Sequence, residues 1–283
     1  CKASSSGGAI YFSNSGGQCV LHEVCGYDCC STGSNENQFG YTCVNSGTSS
    51  KNYVNYSSIT RCINENSCAY YTLRLDYGKI CFPSVNMSLN KCYYRTILYT
   101  PSDTCPLTYS SFTDNIATGY TCIFFNIRGI KYEIRCCNVL RNTQPLGNGE
   151  GTIFLYGTVM IDDSCILENK ATYIFYTYSS SYTTTISNCT LDLTSNNGYL
   201  TIRNTVTKSF IHALNHMSTQ NCHSEYDSAG HLTAIVQTPS SSNKQKLCYT
   251  HVKCFNQHQL RDTFLLTSFF IFNFIHTDIY SYP

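Results

Sequence analysis

Residues 152–189 read TIFLYGTVMIDDSCILENKATYIFYTYSSSYTTTISNC. Two short aromatic strand signals stand at 152–157 and 172–177. Each is followed by an apolar residue, two or three others and a cysteine: Ile161-Asp-Asp-Ser-Cys165, then Ile186-Ser-Asn-Cys189. Outward from this stretch the same two signals alternate. Apolar or aromatic strands recur at 69–75, 95–100, 121–127, 199–203 and 232–237, with starts about 20–33 residues apart. The second signal recurs as Ile59-Thr-Arg-Cys62, Leu89-Asn-Lys-Cys92 and Ile134-Arg-Cys-Cys137, while Phe112-Thr-Asp-Asn115 carries Phe in place of the usual residues. Polar turns follow, as in Cys62-Ile-Asn-Glu-Asn66 and Cys165-Ile-Leu-Glu-Asn169.

Two strand signals per period, joined by Asn/Ser/Gly turns, describe a solenoid coil whose strands stack in parallel on those of the next coil. Inward Cys, Ile and Phe would form apolar ladders. Asn at recurring turns tolerates left-handed backbone and can bond its neighbours above and below. The expected fold is all-β, a right-handed parallel β-helix in one continuous domain. Its first segment, 1–50, is rich in Cys, Gly and Ser, as a cap or as first coils. Coils follow over 51–245, and 246–283 holds a cap and an apolar strand. A β-sandwich would need regular hairpin turns; Asn148-Gly149 and Asn197-Gly198 are the exceptions in a chain that otherwise lacks them.

Cysteine sets the expected compartment. With 19 in 283 residues, disulfides in an oxidising environment are expected. The candidates are Cys19, Cys25, Cys29, Cys30, Cys43, Cys62, Cys68, Cys81, Cys92, Cys105, Cys122, Cys136, Cys137, Cys165, Cys189, Cys222, Cys248 and Cys254. The odd count leaves one thiol for an intermolecular bond, and Cys1 is its natural holder. The zinc alternative requires repeated CxxC pairs, which the chain lacks. Sequons at Asn55, Asn86 and Asn188 agree with secretion and N-glycans. The polar stretch opening at Cys1 reads as a processed N-terminus, with a lipid-modified cysteine as the alternative.

Only 12% of residues are charged and the net charge is +1, which disfavours a nucleic-acid binder, since that class shows a basic surplus or stripe. Low charge also suits packing against copies of the same chain. The 24 Tyr and 15 Phe, against three Met, favour strands.

Gly7-Gly8-Ala9-Ile10-Tyr11, Phe112-Thr-Asp-Asn115 and the Cys-to-Asn turns resemble the GGAI and FxxN repeats of polymorphic outer-membrane proteins. The Cys-, Asn- and Tyr-rich character is similar to that of β-helix surface proteins of trichomonad protists. The resemblance spans most of the chain and implies a cell-surface or extracellular protein with a role in adhesion or coat formation. It names no ligand.

Catalytic β-helices use paired carboxylates, or acidic metal ligands with a basic partner, on one sheet. Asp162, Asp163, Asp192 and Arg203 are the candidates here, with Arg128-Gly-Ile-Lys131 as a faint basic motif. Adjacent strand residues face opposite ways and Asp192 lies at a different offset from its cysteine, so these groups do not stack. Surface carboxylates are the expected reading, and no catalytic residue, cofactor or metal is assigned. His212 and His216 would share a face of a helix, and Cys248-Tyr-Thr-His251-Val-Lys-Cys254 could add ligands. The simpler reading of Cys248 and Cys254 is one small disulfide-closed loop.

The tail at 263–275 is almost wholly apolar but too short to cross a bilayer as a helix. Its aromatic content predicts a strand that ends the core or caps the last coil. A sharper expectation is strand addition to a neighbouring subunit through Phe264, Leu265, Phe269, Phe270, Ile271, Phe272, Phe274 and Ile275. Such a contact is heterologous and builds an open filament. The leading expectation is therefore a secreted structural subunit that stacks head to tail into a filament or coat. A monomeric adhesin using its Tyr-rich sheet is the alternative, and a carbohydrate-active enzyme the third.

Overall fold

The computed structural model describes residues 1–4, 7–33, 37–63, 70–126, 129–145, 147, 150–205, 212 and 214, together with the backbone of 247–256 and 266–271. Among the described residues there is no helix. The chain winds as a parallel β-solenoid whose coils each contribute to three sheets. Sheet I stacks Ile10–Ser13, Asn37–Cys43, Tyr71–Asp76, Arg95–Thr100, Thr121–Phe125, Gly151–Leu155 and Tyr173–Thr177. Sheet II stacks Gly17–His22, Lys51–Asn55, Lys79–Pro83, Cys105–Thr108, Lys131–Arg135, Thr158–Asp162, Thr183–Ser187 and Tyr199–Arg203. Sheet III stacks Cys25–Tyr27, Ser58–Thr60, Asn86–Ser88, Ser111–Thr113, Asn138–Leu140, Cys165–Leu167 and Thr190–Leu191.

Register within the sheets is set by apolar ladders, since a one-residue slip would turn every inward side chain to solvent. Leu73, Ile97, Ile123, Ile153 and Phe175 are in register in sheet I. Phe82, Leu107, Ile134, Ile161, Ile186 and Ile202 align in sheet II. Ile59, Met87, Phe112, Val139, Ile166 and Leu191 align in sheet III. At the first coil the ladder residue is Gly26, where a Cβ would lie 2.3 Å from the Phe39 ring. Phe39 fills the space that Gly26 leaves.

One residue makes each corner between sheets II and III. Glu23, Tyr56, Ser84, Tyr109, Cys136, Asp163 and Asn188 have φ of 48–54°. Asp28, Arg61, Leu89, Asp114, Arg141 and Glu168 turn the chain out of sheet III with φ of 51–58°. Left-handed backbone costs a non-glycine residue about 1–2 kcal/mol. The geometry offsets this by keeping each corner N–H bonded to the next coil, as in Tyr56 to the Pro83 carbonyl at 3.1 Å and Asp114 to the Leu140 carbonyl at 3.0 Å. An apolar residue, an outward residue, a left-handed corner and an inward Cys together account for Ile59-Thr-Arg-Cys62, Ile134-Arg-Cys-Cys137 and Ile186-Ser-Asn-Cys189.

Behind the second corner lies a polar ladder inside the core. Asn90, Asn115, Asn142 and Asn169 are each at most 2% exposed. Each side-chain oxygen from Asn115 onward accepts from the backbone N–H of the asparagine before it, at 3.0–3.2 Å. Each amide group donates to a sheet III carbonyl of the preceding coil, for example Asn115 to Met87 at 2.9 Å. The expected stacking of turn asparagines is realised in this ladder.

Three expectations are corrected. The coil has three sheets where the sequence suggested two strand signals per period. Residues 199–203 belong to sheet II, paired with Thr183–Ser187, and not with the aromatic strands of sheet I. The C-terminal segment lies at the first coil and not the last: Leu247–Asn256 pairs antiparallel with Gly17–His22, and Leu266–Ile271 with Leu247–Asn256. Strand 232–237 lies outside the described residues.

Candidate binding face

The outer face of sheet I carries the most organised chemistry on the molecule. One row in register runs Tyr11, Tyr41, Arg74, Leu98, Phe124, Phe154 and Tyr176. Ring centroids are 5.5 Å apart for Tyr11–Tyr41, 4.6 Å for Phe124–Phe154 and 4.8 Å for Phe154–Tyr176. Parallel in-register pairing repeats the same side-chain type about every 4.8 Å, so ring stacking follows from the fold. Leu98, Phe124 and Phe154 are buried, with Tyr71, Tyr156 and Tyr176 packed against them. Tyr156 continues onto Tyr178, 4.3 Å away, which is 52% exposed.

A second stack enters sheet I from its other margin. Tyr70 lies 5.3 Å from Tyr94, and Tyr94 lies 4.0 Å from Tyr120. Tyr93 flanks them and is exposed. Arg95 is clamped between the Tyr94 and Phe124 rings, its guanidinium carbon 3.9 Å from each centroid. Glu150 approaches it at 3.7 Å. Burial holds the Glu150 carboxyl above its usual range, and the positive charge of Arg95 opposes that shift. A buried cation between two ring faces is a favourable arrangement that water cannot screen. It fixes the spacing of the stack. Arg74 plays a similar part nearer the first coil, 5.3 Å over Tyr41 and bonded to Asp76 at 2.7 Å.

The acidic candidates are not gathered. Asp162 faces outward from sheet II, 4.0 Å from Arg135, and accepts from Asn188 at 3.0 Å. Asp163 is a corner residue between sheets II and III. Asp192 lies beyond the last strand of sheet III, where it accepts the Glu168 N–H. Arg203 and Lys131 lie on sheet II, and Arg128 is outside the described residues. His212 rests on the outer face of sheet III, donating its N–H to Asn138 at 3.1 Å. His251 is opposite His22 across the antiparallel pair, while His216, His223 and His231 lie outside the described residues. Among the described residues, no three His, Cys, Asp or Glu side chains converge as metal ligands would.

Cys25 is disulfide-bonded. Cys62, Cys92, Cys122, Cys137 and Cys189 are unbridged and buried in the core. Cys19 and Cys29 sit in the same core, and Cys165 is buried on the outer face of sheet III. Cys1, Cys30, Cys43, Cys81 and Cys136 are half-buried. Cys105 lies in sheet II, and Cys68 and Cys222 are outside the described residues. The small loop closed by Cys248 and Cys254 is overturned, because both lie on the one strand Leu247–Asn256. Six residues of extended chain place them about 20 Å apart, far beyond the roughly 7 Å that a disulfide allows.

Of the sequon asparagines, Asn188 is exposed at its corner and Asn55 is half-buried beside His22 at 3.2 Å. Asn86 is 1% exposed on the outer face of sheet III. In the tail, Phe269, Phe270 and Ile271 fall within the strand Leu266–Ile271. Phe264, Leu265, Phe272, Phe274 and Ile275 lie outside the described residues. No helix of the described residues is long and apolar enough to cross a membrane.

The sequence drew attention to tyrosine as a class, but the Tyr70–Tyr94–Tyr120 stack joins residues 24 and 26 positions apart, a juxtaposition visible only once the coils are set. No known family, curated protein or solved structure matches this chain.

Proposed function

We propose that the chain is an adhesive module of a cell surface or extracellular matrix, and that the outer face of sheet I with its flanking tyrosine stack is the contact surface for sugar rings. One observation carries the reading: half-buried and exposed tyrosines stack from coil to coil, Tyr70–Tyr94–Tyr120 at one margin and Tyr156–Tyr178 at the other, with the buried Arg95 braced against Tyr94. Sugars present flat C–H faces that pack on aromatic rings, and a row of rings accepts successive units of an oligosaccharide. The low charge, the sequons and the resemblance to surface β-helix proteins support an extracellular setting. The reading needs no cofactor and no catalytic group. Calorimetric titration with neutral hexasaccharides tests it. Tyr93→Ala and Tyr178→Ala, both at exposed rings, are expected to weaken binding about ten-fold each while the melting temperature stays within about 2 °C. Unchanged affinity in both variants overturns the contact surface.

Assembly into a filament is the second reading. The ten-stranded sheet ends on Tyr199–Arg203 at one side and Leu266–Ile271 at the other. Tyr199 is 68% exposed and Ile202 40%. An edge strand templates further pairing, so residues 266–271 of one copy added to 199–203 of the next would make a head-to-tail polymer. Electron microscopy of the native chain and of a variant lacking 263–283 tests this. Filaments lost on deletion support it, and short rods from both samples overturn it.

A further inference from the structure

Tyr70, Tyr93, Tyr94 and Tyr120 crowd the margin where the chain enters sheet I. Backbone bonds between coils set their heights. The Tyr70 carbonyl accepts the Tyr94 N–H at 2.9 Å, and the Tyr94 carbonyl accepts the Thr121 N–H at 3.2 Å. Gly119 donates its N–H to the Tyr93 carbonyl at 2.6 Å. A side chain would block that approach, since a Cβ on Gly119 would lie 2.7 Å from the same oxygen. Glycine therefore stands where two coils must close up to bring Tyr120 against Tyr94.

The Tyr94 and Tyr120 centroids are 4.0 Å apart with the ring planes at 49°, so atoms of the two rings are in van der Waals contact. Their hydroxyls meet as well. Charge on Tyr94, burial and a hydrogen bond with Tyr94 hold the Tyr120 phenol above its usual pKa. Rings that touch and also share a hydroxyl bond point the same way, which makes neighbours of the ring carbons beside the two hydroxyls. Tyr93 is 41% exposed and 6.5 Å from both rings, so it is the ring that an oxidant in solution meets first. An electron vacancy formed on Tyr93 can pass inward from ring to ring.

We infer that Tyr94 and Tyr120 form a site of oxidative coupling, where a peroxidase acting with hydrogen peroxide joins them as dityrosine and staples one coil to the next. Each phenol gives up one electron and its hydroxyl proton and becomes a phenoxyl radical. The two radicals combine through a carbon–carbon bond between positions ortho to the oxygens, and the two ortho hydrogens then return to the oxygens as protons. Hydrogen peroxide takes up the two electrons and two protons and leaves as two waters, so the chain loses two hydrogens in all. Rings already held in contact couple with each other in preference to rings of another chain that must first be met in solution. The bond closes a loop from residue 94 to residue 120, which removes entropy from the unfolded chain. This inference goes beyond the sugar-binding reading and does not depend on it.

The test treats the whole chain, at high dilution, with a haem peroxidase and hydrogen peroxide. Dityrosine fluorescence, gel mobility and peptide mass mapping are the readouts. The expected product is a monomer that has lost two hydrogens, carries Tyr94 and Tyr120 in one cross-linked peptide, and unfolds at a higher urea concentration. Tyr120→Phe keeps the ring but lacks the hydroxyl from which the radical forms, so that peptide should be lost; circular dichroism checks the fold of the variant. Tyr56→Phe, at an exposed corner ring between sheets II and III, should leave the cross-link unchanged. A monomer without dityrosine overturns the inference, and so does dityrosine that maps to other tyrosines or forms only between chains. Fluorescence in Tyr120→Phe equal to that of the native sequence also overturns it. Should that variant misfold, the position mapped in the native chain decides.

Discussion

Replacing Asn115 with alanine tests whether the internal asparagine ladder holds the coils in register. Asn115 is fully buried. Its side-chain oxygen accepts from the Asn90 N–H and from the Asn90 amide, both at 3.1 Å. Its own amide donates to the Met87 carbonyl at 2.9 Å and to the Asn142 oxygen at 3.0 Å. After truncation the Asn90 amide still reaches the Ile59 carbonyl, and the Asn142 oxygen still receives the Asn115 N–H. The Asn90 N–H and the Met87 carbonyl lose these partners in the core. Each buried group so orphaned costs about 1–3 kcal/mol, giving about 2–6 kcal/mol in all. For a chain of this size that lowers the melting temperature by roughly 5–20 °C. Asn115→Asp should do worse at neutral pH, because it buries a charge and aims an acceptor at the Met87 carbonyl and the Asn142 oxygen. The control is Asn45→Ala, which removes one exposed turn bond to the Gly47 N–H and should cost no more than about 1 kcal/mol. The assay is thermal and urea unfolding followed by circular dichroism. An Asn115→Ala variant as stable as Asn45→Ala would refute the claim that the ladder stabilises the stack.

Three further outcomes are expected. Burial raises the thiols of Cys92 and Cys137 from 9.0 to about 12 and that of Cys189 to about 11. Below about pH 9 both folded and unfolded chains keep these protons, and their stabilising effect is complete. Between pH 9 and 12 the unfolded chain loses protons that the folded chain retains, so stability should fall over that window. Urea midpoints measured across it check the sign. Alkylation at pH 8 should reach the half-buried Cys30 and Cys43 while sparing Cys92, Cys122, Cys137 and Cys189 until denaturant is added; no gain in labelled thiols on denaturation would mean that the core cysteines are bridged. In protein secreted from a eukaryotic host, peptide mass mapping should find glycan at the exposed Asn188 and none at the buried Asn86. An occupied Asn86 would be incompatible with the buried outer face of sheet III.

The strands of sheet I from Tyr71–Asp76 onward were legible because they are five or six residues of aromatic and β-branched sequence with a recurring period. Sheet III was not. Its strands are two or three residues long and follow sheet II after only two residues, the first of them left-handed, so each merges with its predecessor in a linear reading. The same brevity hid that Leu89-Asn-Lys-Cys92 differs from the other Cys units: there Leu89 is the corner and Asn90 the inward residue. Cysteine is ambiguous for a different reason. As a small apolar side chain it suits the inward position behind a corner, a role that Val85 and Ser110 take in other coils. A count of cysteines therefore cannot distinguish core packing from bridges.

By itself the sequence determined the parallel β-helix, its apolar ladders and the stacking of turn asparagines, because each depends on a local pattern repeated at the coil period. Only the tertiary structure decided the third sheet, the course of the C-terminal strands back to the first coil, and the faces on which rings and charges meet. Those depend on which residues occupy the same height in successive coils. Coils of unequal length shift that correspondence, and no local signal records the sum of the shifts.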